Sequence, residues 1–200
     1  RLQQPELSQY CRAVQVVTLQ RQHILPPEQE QLLAQTGEMA MTANNAFTML
    51  NNVDLHFPSL PDSQGNVTPL THGTFLKFME DPDRQVRKQA FQAFYGVYDQ
   101  HKNTLAALQA ANVKKDNFYA RVRGYDSALE AALFDEEIPQ QVYDCLIETV
   151  RRHLPDFYRY IDLRKKALGY QELHFYDIYA PLTAESNRVI PYEEACEMVL

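Results

Sequence analysis

Apolar residues recur at three- and four-residue intervals along most of this chain, which is the spacing of one face of an α-helix. The first such stripe runs over residues 6–22, and Leu25-Pro26-Pro27-Glu28 then ends one helix and begins the next. The same spacing predicts helices over residues 28–36 and 38–52, a long helix over residues 83–112, and further helices over residues 116–133, 139–153 and 155–168. The pattern therefore indicates a chain that is almost entirely helical.

Two segments depart from this period. Residues 54–70 alternate around Asp62-Ser63-Gln64-Gly65 and predict a short β-hairpin. Thr71 is expected to cap a short helix through Glu80, whereas the run from His174 to Tyr179 suggests an extended segment. The predicted fold class is all-α, a multi-helix array with one short β-hairpin near residues 54–70.

Both ends of the chain are interpreted as cut. Pro191, Glu193 and Glu194 predict the start of a helix that is still in progress at the last residue. A helix of under three turns without a terminating glycine would be too short to persist alone in water. We therefore expect the chain to be a truncated piece, with further residues before Arg1 as well.

Composition narrows the class of protein. The 200 residues are 45% hydrophobic and 22% charged with only 6 glycines, which is typical of a globular protein. No apolar run is long enough to span a membrane, and a formal charge of −7 disfavours nucleic acid and anionic lipid as partners. Three widely spaced cysteines, Cys11, Cys145 and Cys196, predict buried thiols in a reducing compartment, so we expect the cytoplasm.

The histidines and cysteines form no recognisable chemical motif. No two of the six histidines are three, four or five residues apart, so neither an HExxH motif nor a helix-borne pair of zinc ligands is present; they are His23, His56, His72, His101, His153 and His174. CxxC, GxSxG and clustered phosphate-binding glycines are also missing from the sequence. No metal-binding residue and no catalytic residue is assigned.

Three sets of residues leave two interpretations open. Acid pairs at Glu136–Glu137 and Glu193–Glu194 fit helix starts better than acid–base chemistry. A set of basic side chains could bind an anion, although interaction with the C-terminal ends of helix dipoles is favoured. This set comprises Arg151, Arg152, Arg159, Arg164, Lys165 and Lys166. An aromatic set could line a groove, although helical spacing favours the core; it comprises Phe118, Tyr119, Tyr125, Phe157, Tyr158 and Tyr160.

Four runs, taken in order, resemble the oligoendopeptidase F family, which is related to thimet oligopeptidase. They are His101-Lys102-Asn103-Thr104; Lys114 to Arg121 with Arg123, Tyr125 and Ser127; Arg164-Lys165-Lys166 with Leu168-Gly169; and Tyr176-Asp177 with Tyr179 and Pro181-Leu182. The resemblance extends from about residue 5 to about residue 190. It implies a mostly helical cytoplasmic zinc metallopeptidase that cleaves short peptides in a channel between two lobes.

The resemblance also implies what this chain lacks. The family binds zinc through the two histidines of HExxH and a later glutamate, and all of these are expected downstream. Arg121, Arg123, Tyr176 and Asp177 match recurrent family positions, but a buried polar brace and a substrate contact both remain open for them. Substrate-binding residues are therefore unknown. Residues 1–82 are expected to end an N-terminal helical region, and residues 83–200 to open the peptidase domain.

The leading hypothesis is that the parent protein is a zinc-dependent oligopeptidase acting on oligopeptides, and that this chain gives scaffold and channel wall. The chain alone is then expected to be inactive and to bind no zinc, and the surface exposed by truncation could self-associate. The alternative is a non-catalytic helical protein-interaction module. A nucleic-acid-binding domain that uses the basic set is a third and weaker hypothesis.

Overall fold

The structure is a computed structural model that describes residues 9–183 and 190–199. Its α-helices are α1 (Cys11–Gln20), α2 (Pro27–Gln35), α3 (Gly37–Met49), α4 (His72–Met79), α5 (Arg84–Gln100), α6 (Lys102–Val122), α7 (Ala128–Phe134), α8 (Gln140–Ala167) and α9 (Tyr192–Val199). Its strands are β1 (Ser59–Pro61) and β2 (Val67–Pro69). This confirms the all-α prediction with one short hairpin. Within the described ranges, no helix is both long and apolar enough to cross a bilayer.

Contacts divide the chain into two compact units, each made of two stretches of sequence. Unit 1 takes residues 1–56 and 101–154, and unit 2 takes residues 57–100 and 155–200. In unit 1, helix α3 packs against α6, and α6 packs against α7. In unit 2, helix α4 packs against α5, and α5 packs against a 3-10 turn at Phe175–Asp177.

The hairpin and the helix after it follow from local turn and cap chemistry. Strands β1 and β2 are antiparallel, with Leu60 opposite Thr68, and Gly65 in the turn has a φ of 85°. Asp62 tightens this turn because its carboxylate accepts hydrogen bonds from the amides of Gln64 and Asn66. The Thr71 hydroxyl accepts from the Thr74 amide and caps α4, as the sequence predicts.

Three helix boundaries differ from the prediction. The long helix predicted over 83–112 is interrupted at His101, which separates α5 from α6 although no glycine or proline lies there. The helix predicted over 116–133 is divided at Gly124, which ends α6 with a φ of 75°. Pro155 does not end a helix, because α8 continues through it from Gln140 to Ala167.

The extended segment predicted at 174–179 is also wrong. Phe175–Asp177 form a 3-10 turn, and the Asp177 carboxylate accepts a hydrogen bond from the His174 amide at 3.0 Å. A side-chain cap of this kind closes the backbone into a turn, so the aromatic and β-branched composition does not decide the conformation here.

The main hydrophobic cluster of unit 2 forms where α4, α5 and the hairpin meet. Its buried members are Leu70, Phe78, Met79, Ala90 and Phe94. Phe57 stacks on Phe94 with ring centroids 4.6 Å apart. The face of α5 that carries Ala90 and Phe94 therefore lies in this core, while Tyr95 stays exposed.

Candidate functional site

Among the residues of unit 2 that the structure describes, the most deeply buried charge is the carboxylate of Asp177, whose side chain is 0% exposed. Arg84 donates to both of its oxygens, from Nε at 3.1 Å to Oδ1 and from Nη2 at 2.8 Å to Oδ2. Arg87 donates from Nη2 to Oδ1 at 3.1 Å, and the His174 amide donates to Oδ2. We call Arg84, Arg87 and Asp177 the Asp177 brace.

Local sequence explains how the two arginines reach one carboxylate. Asp83 accepts a hydrogen bond from the Gln85 amide and starts α5, so Arg84 and Arg87 are one turn apart on the same face. Gly169, with a φ of 69°, ends α8 and returns the chain toward the 3-10 turn that carries Asp177. The brace therefore ties the start of α5 to a turn about 90 residues later.

Arg87 is fully engaged by protein groups. Its side chain is 1% exposed, and it donates to the backbone carbonyls of Asp81, Pro82 and Tyr176 at 2.7, 3.0 and 3.0 Å. Its Nη2 also donates to the Tyr170 hydroxyl at 3.0 Å. A buried guanidinium satisfied in this way is held rigidly, because each donor that moved would lose a hydrogen bond without reaching water.

Electrostatics keep the brace charged. Burial alone would raise the pKa of Asp177, but hydrogen bonds from Arg84, the His174 amide and Arg87 outweigh it and lower the pKa. The hydrogen bond to Asp177 raises the pKa of Arg84, whose Cζ lies 4.1 Å from the centre of the Tyr170 ring. Each oxygen of this buried carboxylate already accepts two hydrogen bonds, so Asp177 is placed to hold the two arginines and not to accept a proton from a bound substrate.

The structure describes every member of the predicted basic set. Of these members, only Arg164 is buried. Its Nη2 donates to the carbonyl of Ala180 at 2.6 Å, and its Nη1 donates to the Tyr160 hydroxyl at 3.1 Å. Its Nε has no hydrogen-bond partner among the described residues. Arg164, Lys165 and Lys166 occupy the last turn of α8, as the dipole interpretation requires. Arg151 and Arg152 do not lie at a C-terminal end, because α8 continues past them.

Unit 1 holds a more exposed polar cluster around Arg123. Its guanidinium pairs with the Glu30 carboxylate through two hydrogen bonds, at 2.9 and 3.0 Å, and also donates to the His23 carbonyl. The His23 ring stacks on Tyr125 at 3.6 Å, and its Nδ1 lies 2.9 Å from the Arg123 carbonyl oxygen. The hydrogen bond from Arg123 lowers the pKa of Glu30. These contacts join α2 to the end of α6.

The predicted aromatic set is not core in this chain. Tyr119 and Tyr125 of unit 1 are half-buried, and the Tyr119 hydroxyl lies 2.7 Å from that of Thr36. Phe118 is exposed, as are Phe157, Tyr158 and Tyr160 on α8 of unit 2. Helical spacing alone does not say which side of a helix finds a partner, and that is why the core interpretation fails here.

The predicted acid pairs and thiols have mixed outcomes. Glu193 and Glu194 do lie in the first turn of α9, but Glu136 and Glu137 follow the end of α7, and Glu137 pairs with Arg12. None of the three cysteines forms a disulfide. Cys145 is exposed on α8 and Cys11 and Cys196 are half-buried, so the expectation of buried thiols is wrong.

The described residues offer no place for zinc. Among residues 9–183 and 190–199, no group of three or more histidine, cysteine, aspartate or glutamate side chains could hold a metal ion. The His72 ring instead meets the Tyr98 hydroxyl at 2.6 Å, and the His56 ring meets the Asp54 carbonyl at 2.8 Å. A zinc site needs three or four converging donors, so these residues do not fit the ion.

Sequence comparison decides the family. The model of Peptidase family M3 matches residues 77–199, and that of the oligopeptidase F N-terminal region matches residues 1–57. This chain belongs to peptidase family M3. The resemblance to oligoendopeptidase F is thereby confirmed.

Relatives in this family agree with the match. Oligopeptidase PepF of Bacillus subtilis is 47% identical over 199 residues, which is 100% of this chain and 30% of the relative. Group B oligopeptidase PepB of Streptococcus agalactiae is 41% identical over 97% of this chain and 32% of its own length. The crystal structure of oligoendopeptidase-F from Enterococcus faecium superposes with a TM-score of 0.85 at 41% identity, covering 92% of this chain and 36% of that one. The chain thus spans about a third of the length of these M3 peptidases.

Sequence reasoning named Asp177 and Arg123 but missed their partners Arg84, Arg87 and Glu30. One signal was available for the arginines. Basic side chains in the first turn of a helix oppose the helix dipole, so two of them one turn apart after Asp81-Pro82-Asp83 indicate a carboxylate elsewhere in the fold. No comparable signal identifies Glu30, because an acidic residue early in α2 is already favoured by the dipole.

Proposed function

We propose that this chain is part of a zinc-dependent oligopeptidase that hydrolyses short peptides in the cytoplasm. The observation that carries the proposal is the 47% identity over the full chain to a protein named oligopeptidase, of which the chain spans 30%. Thiols that are not in disulfides support the compartment. In this proposal, residues 1–82 end the N-terminal helical region and residues 83–200 open the peptidase domain.

The role we propose for the chain itself is helical framework and part of a channel wall. Arg87 and Asp177, which are among its most buried described polar side chains, hydrogen-bond to each other, and Arg87 also donates to backbone carbonyls. Side chains engaged in this way suit a rigid support better than catalysis. Zinc and its general base are proposed to come from residues outside this chain. When bound, zinc would supply an activated water and polarise the scissile carbonyl.

The test compares this chain with the longer polypeptide that contains it. Both are assayed with a quenched fluorescent oligopeptide, after treatment with a chelator and after zinc is added back. We expect zinc-restored turnover only in the longer polypeptide, whose reading frame should hold HExxH and a later glutamate. Metal-dependent turnover by the 200-residue chain would contradict the framework role, and an inactive longer protein would contradict the peptidase.

A chimera gives a matched control. The 199-residue segment of the Bacillus subtilis oligopeptidase that aligns with this chain is replaced by the chain itself. We expect the chimera to hydrolyse the oligopeptide and the same relative without any segment to be inactive. A folded but inactive chimera would show that this region supplies something more specific to each enzyme than framework.

A further inference from the structure

An open apolar groove lies on unit 2 between α4, α5 and the 3-10 turn. Its volume is about 420 Å³, and side chains that line it include Phe75, Met79, Phe91, Tyr95, Phe175 and Tyr179. We call this the aromatic groove. Its floor is buried, since Met79 is only 1% exposed, but its rim is open. Phe175 is 75% exposed, Tyr179 is 55% exposed and Tyr95 is 48% exposed.

The Asp177 brace fixes one wall of this groove. Phe175 and Tyr179 are both two residues from Asp177, whose carboxylate is bound by Arg84, Arg87 and the His174 amide. Phe175 lies parallel to Phe91, with ring centroids 6.5 Å apart. The turn that carries both exposed rings is therefore anchored to α5. A preformed apolar surface of this kind marks an interaction site.

The chemistry of the lining selects the occupant. Among the described residues, no charged side chain lines the groove, and the only polar side-chain groups that line it are the hydroxyls of Tyr95 and Tyr179. A free peptide brings charged termini and an unpaired backbone, which such a surface does not satisfy. A helix satisfies its own backbone and presents apolar side chains at i, i+3, i+4 and i+7, so it suits a groove walled by helices.

The length of the relatives identifies where that helix comes from. The fold of this chain recurs with a TM-score of 0.85 in the Enterococcus faecium oligoendopeptidase-F, of which it covers 36%. The same fold thus recurs as part of a much longer chain, which leaves about two-thirds of that chain outside it. We propose that the aromatic groove seats an apolar helix from the remaining two-thirds of the peptidase polypeptide, an inference that rests on the proposed function.

The experiment uses the longer polypeptide with all of its cysteines changed to serine, among them Cys11, Cys145 and Cys196 of this chain. Single cysteines are introduced by Phe175→Cys and Tyr179→Cys, with Gln64→Cys on the exposed hairpin turn as the control. Alkylation rates are compared in native buffer and in urea. We expect the two groove cysteines to react on the order of 100-fold more slowly in the native protein, and the control to change by only a few-fold.

Each outcome has a definite meaning. Groove cysteines that react as fast as the control would overturn the inference. So would protection that depends on protein concentration, which indicates a second copy, or protection that appears only with added oligopeptide, which indicates substrate. Peptidase activity is measured on the same samples. An active enzyme with open groove cysteines refutes this inference alone, whereas a protected but inactive protein refutes the proposed function alone.

A second measurement needs no substitution in the groove. Hydroxyl-radical oxidation of the wild-type longer polypeptide reports directly on Phe175, Tyr179 and Tyr95. We expect each ring to be oxidised on the order of ten-fold more slowly than the same residue in the denatured protein, because a seated helix excludes solvent. Oxidation at the denatured rate would overturn the inference even if the cysteine variants failed to fold.

Discussion

The two units hold the same chemical pair, an arginine on a carboxylate, in opposite surroundings. In unit 2 the Asp177 carboxylate is 0% exposed and shared by two arginines. In unit 1 the Arg123 and Glu30 side chains are 34% and 31% exposed and form one bidentate ion pair. Hydrogen-bond lengths are nearly equal in the two places. Burial, and not geometry, therefore decides how much each unit depends on its ion pair.

The largest effect is expected from Asp177→Asn, which keeps the shape of the side chain but removes its charge. Arg87 would then be a buried cation without a counter-ion, so we expect a loss of about 3–5 kcal/mol in the free energy of unfolding. Urea denaturation measures the loss, and hydrogen exchange in α5 assigns it to unit 2.

The control is Asp156→Asn in the same unit. Asp156 lies 3.7 Å from Arg159, and both side chains are mostly exposed. We expect no measurable change in stability there. Equal losses of stability in the two variants would show that the loss of an ion pair matters and its burial does not. That result would contradict the difference drawn between the buried and the exposed ion pair.

Acid should act through the same carboxylate. The pKa of Asp177 is lowered in the folded protein, so its contribution is fully present above the pKa of an unfolded aspartate, about 3.9, and is lost as pH falls through the lower folded value. We expect the stability of the wild type to drop in this acidic window and that of Asp177→Asn to drop less. Parallel curves from urea denaturation at each pH would contradict the assignment.

Glu30→Gln tests the exposed member of the comparison. Arg123 would keep its hydrogen bond to the His23 carbonyl and gain access to water, so the loss of stability should be clearly smaller than that of Asp177→Asn. Because the pair is open to solvent, 1 M NaCl should reduce the effect of Glu30→Gln but not that of Asp177→Asn. Thermal unfolding of both variants at low and high salt measures this difference.

Sequence predicted the features that are closed by near neighbours. The Thr71 cap and the Gly65 turn both rest on contacts within a few residues, and the structure has each of them. The sequence did not predict pairing between distant residues such as Arg84 and Asp177, which are 93 positions apart. The mistaken extended segment at 174–179 has a local and a distant cause, because the Asp177 carboxylate both caps the turn at the His174 amide and pairs with arginines on α5.

The failure at Pro155 has a different cause. Proline removes one hydrogen-bond donor and crowds the preceding turn, so local rules end a helix there. The structure nevertheless carries α8 through it. This helix is 28 residues long and has many other backbone hydrogen bonds, so the loss of one does not end it, and a rule for a single residue does not weigh that cooperativity.

Smaller effects than that of Asp177→Asn are expected at helix ends, where the two units should not differ. Gly124 ends α6 in unit 1 and Gly169 ends α8 in unit 2, with φ of 75° and 69°. A built Cβ would meet nothing within 4 Å at either position, so alanine would cost only the left-handed backbone, about 1–2 kcal/mol. We expect Gly124→Ala and Gly169→Ala to lower stability by similar amounts.

Gly96→Ala is the matched control for these glycines. Gly96 lies inside α5 with ordinary helical backbone and open space at its Cβ, so alanine should raise stability by up to about 1 kcal/mol. Urea denaturation of the three variants separates backbone conformation from side-chain contact. A contrary result would be a difference in stability between Gly124→Ala and Gly169→Ala as large as the difference between either variant and Gly96→Ala. The two units would then also differ in how well their backbones tolerate alanine, and burial of charge would no longer be the feature that distinguishes them.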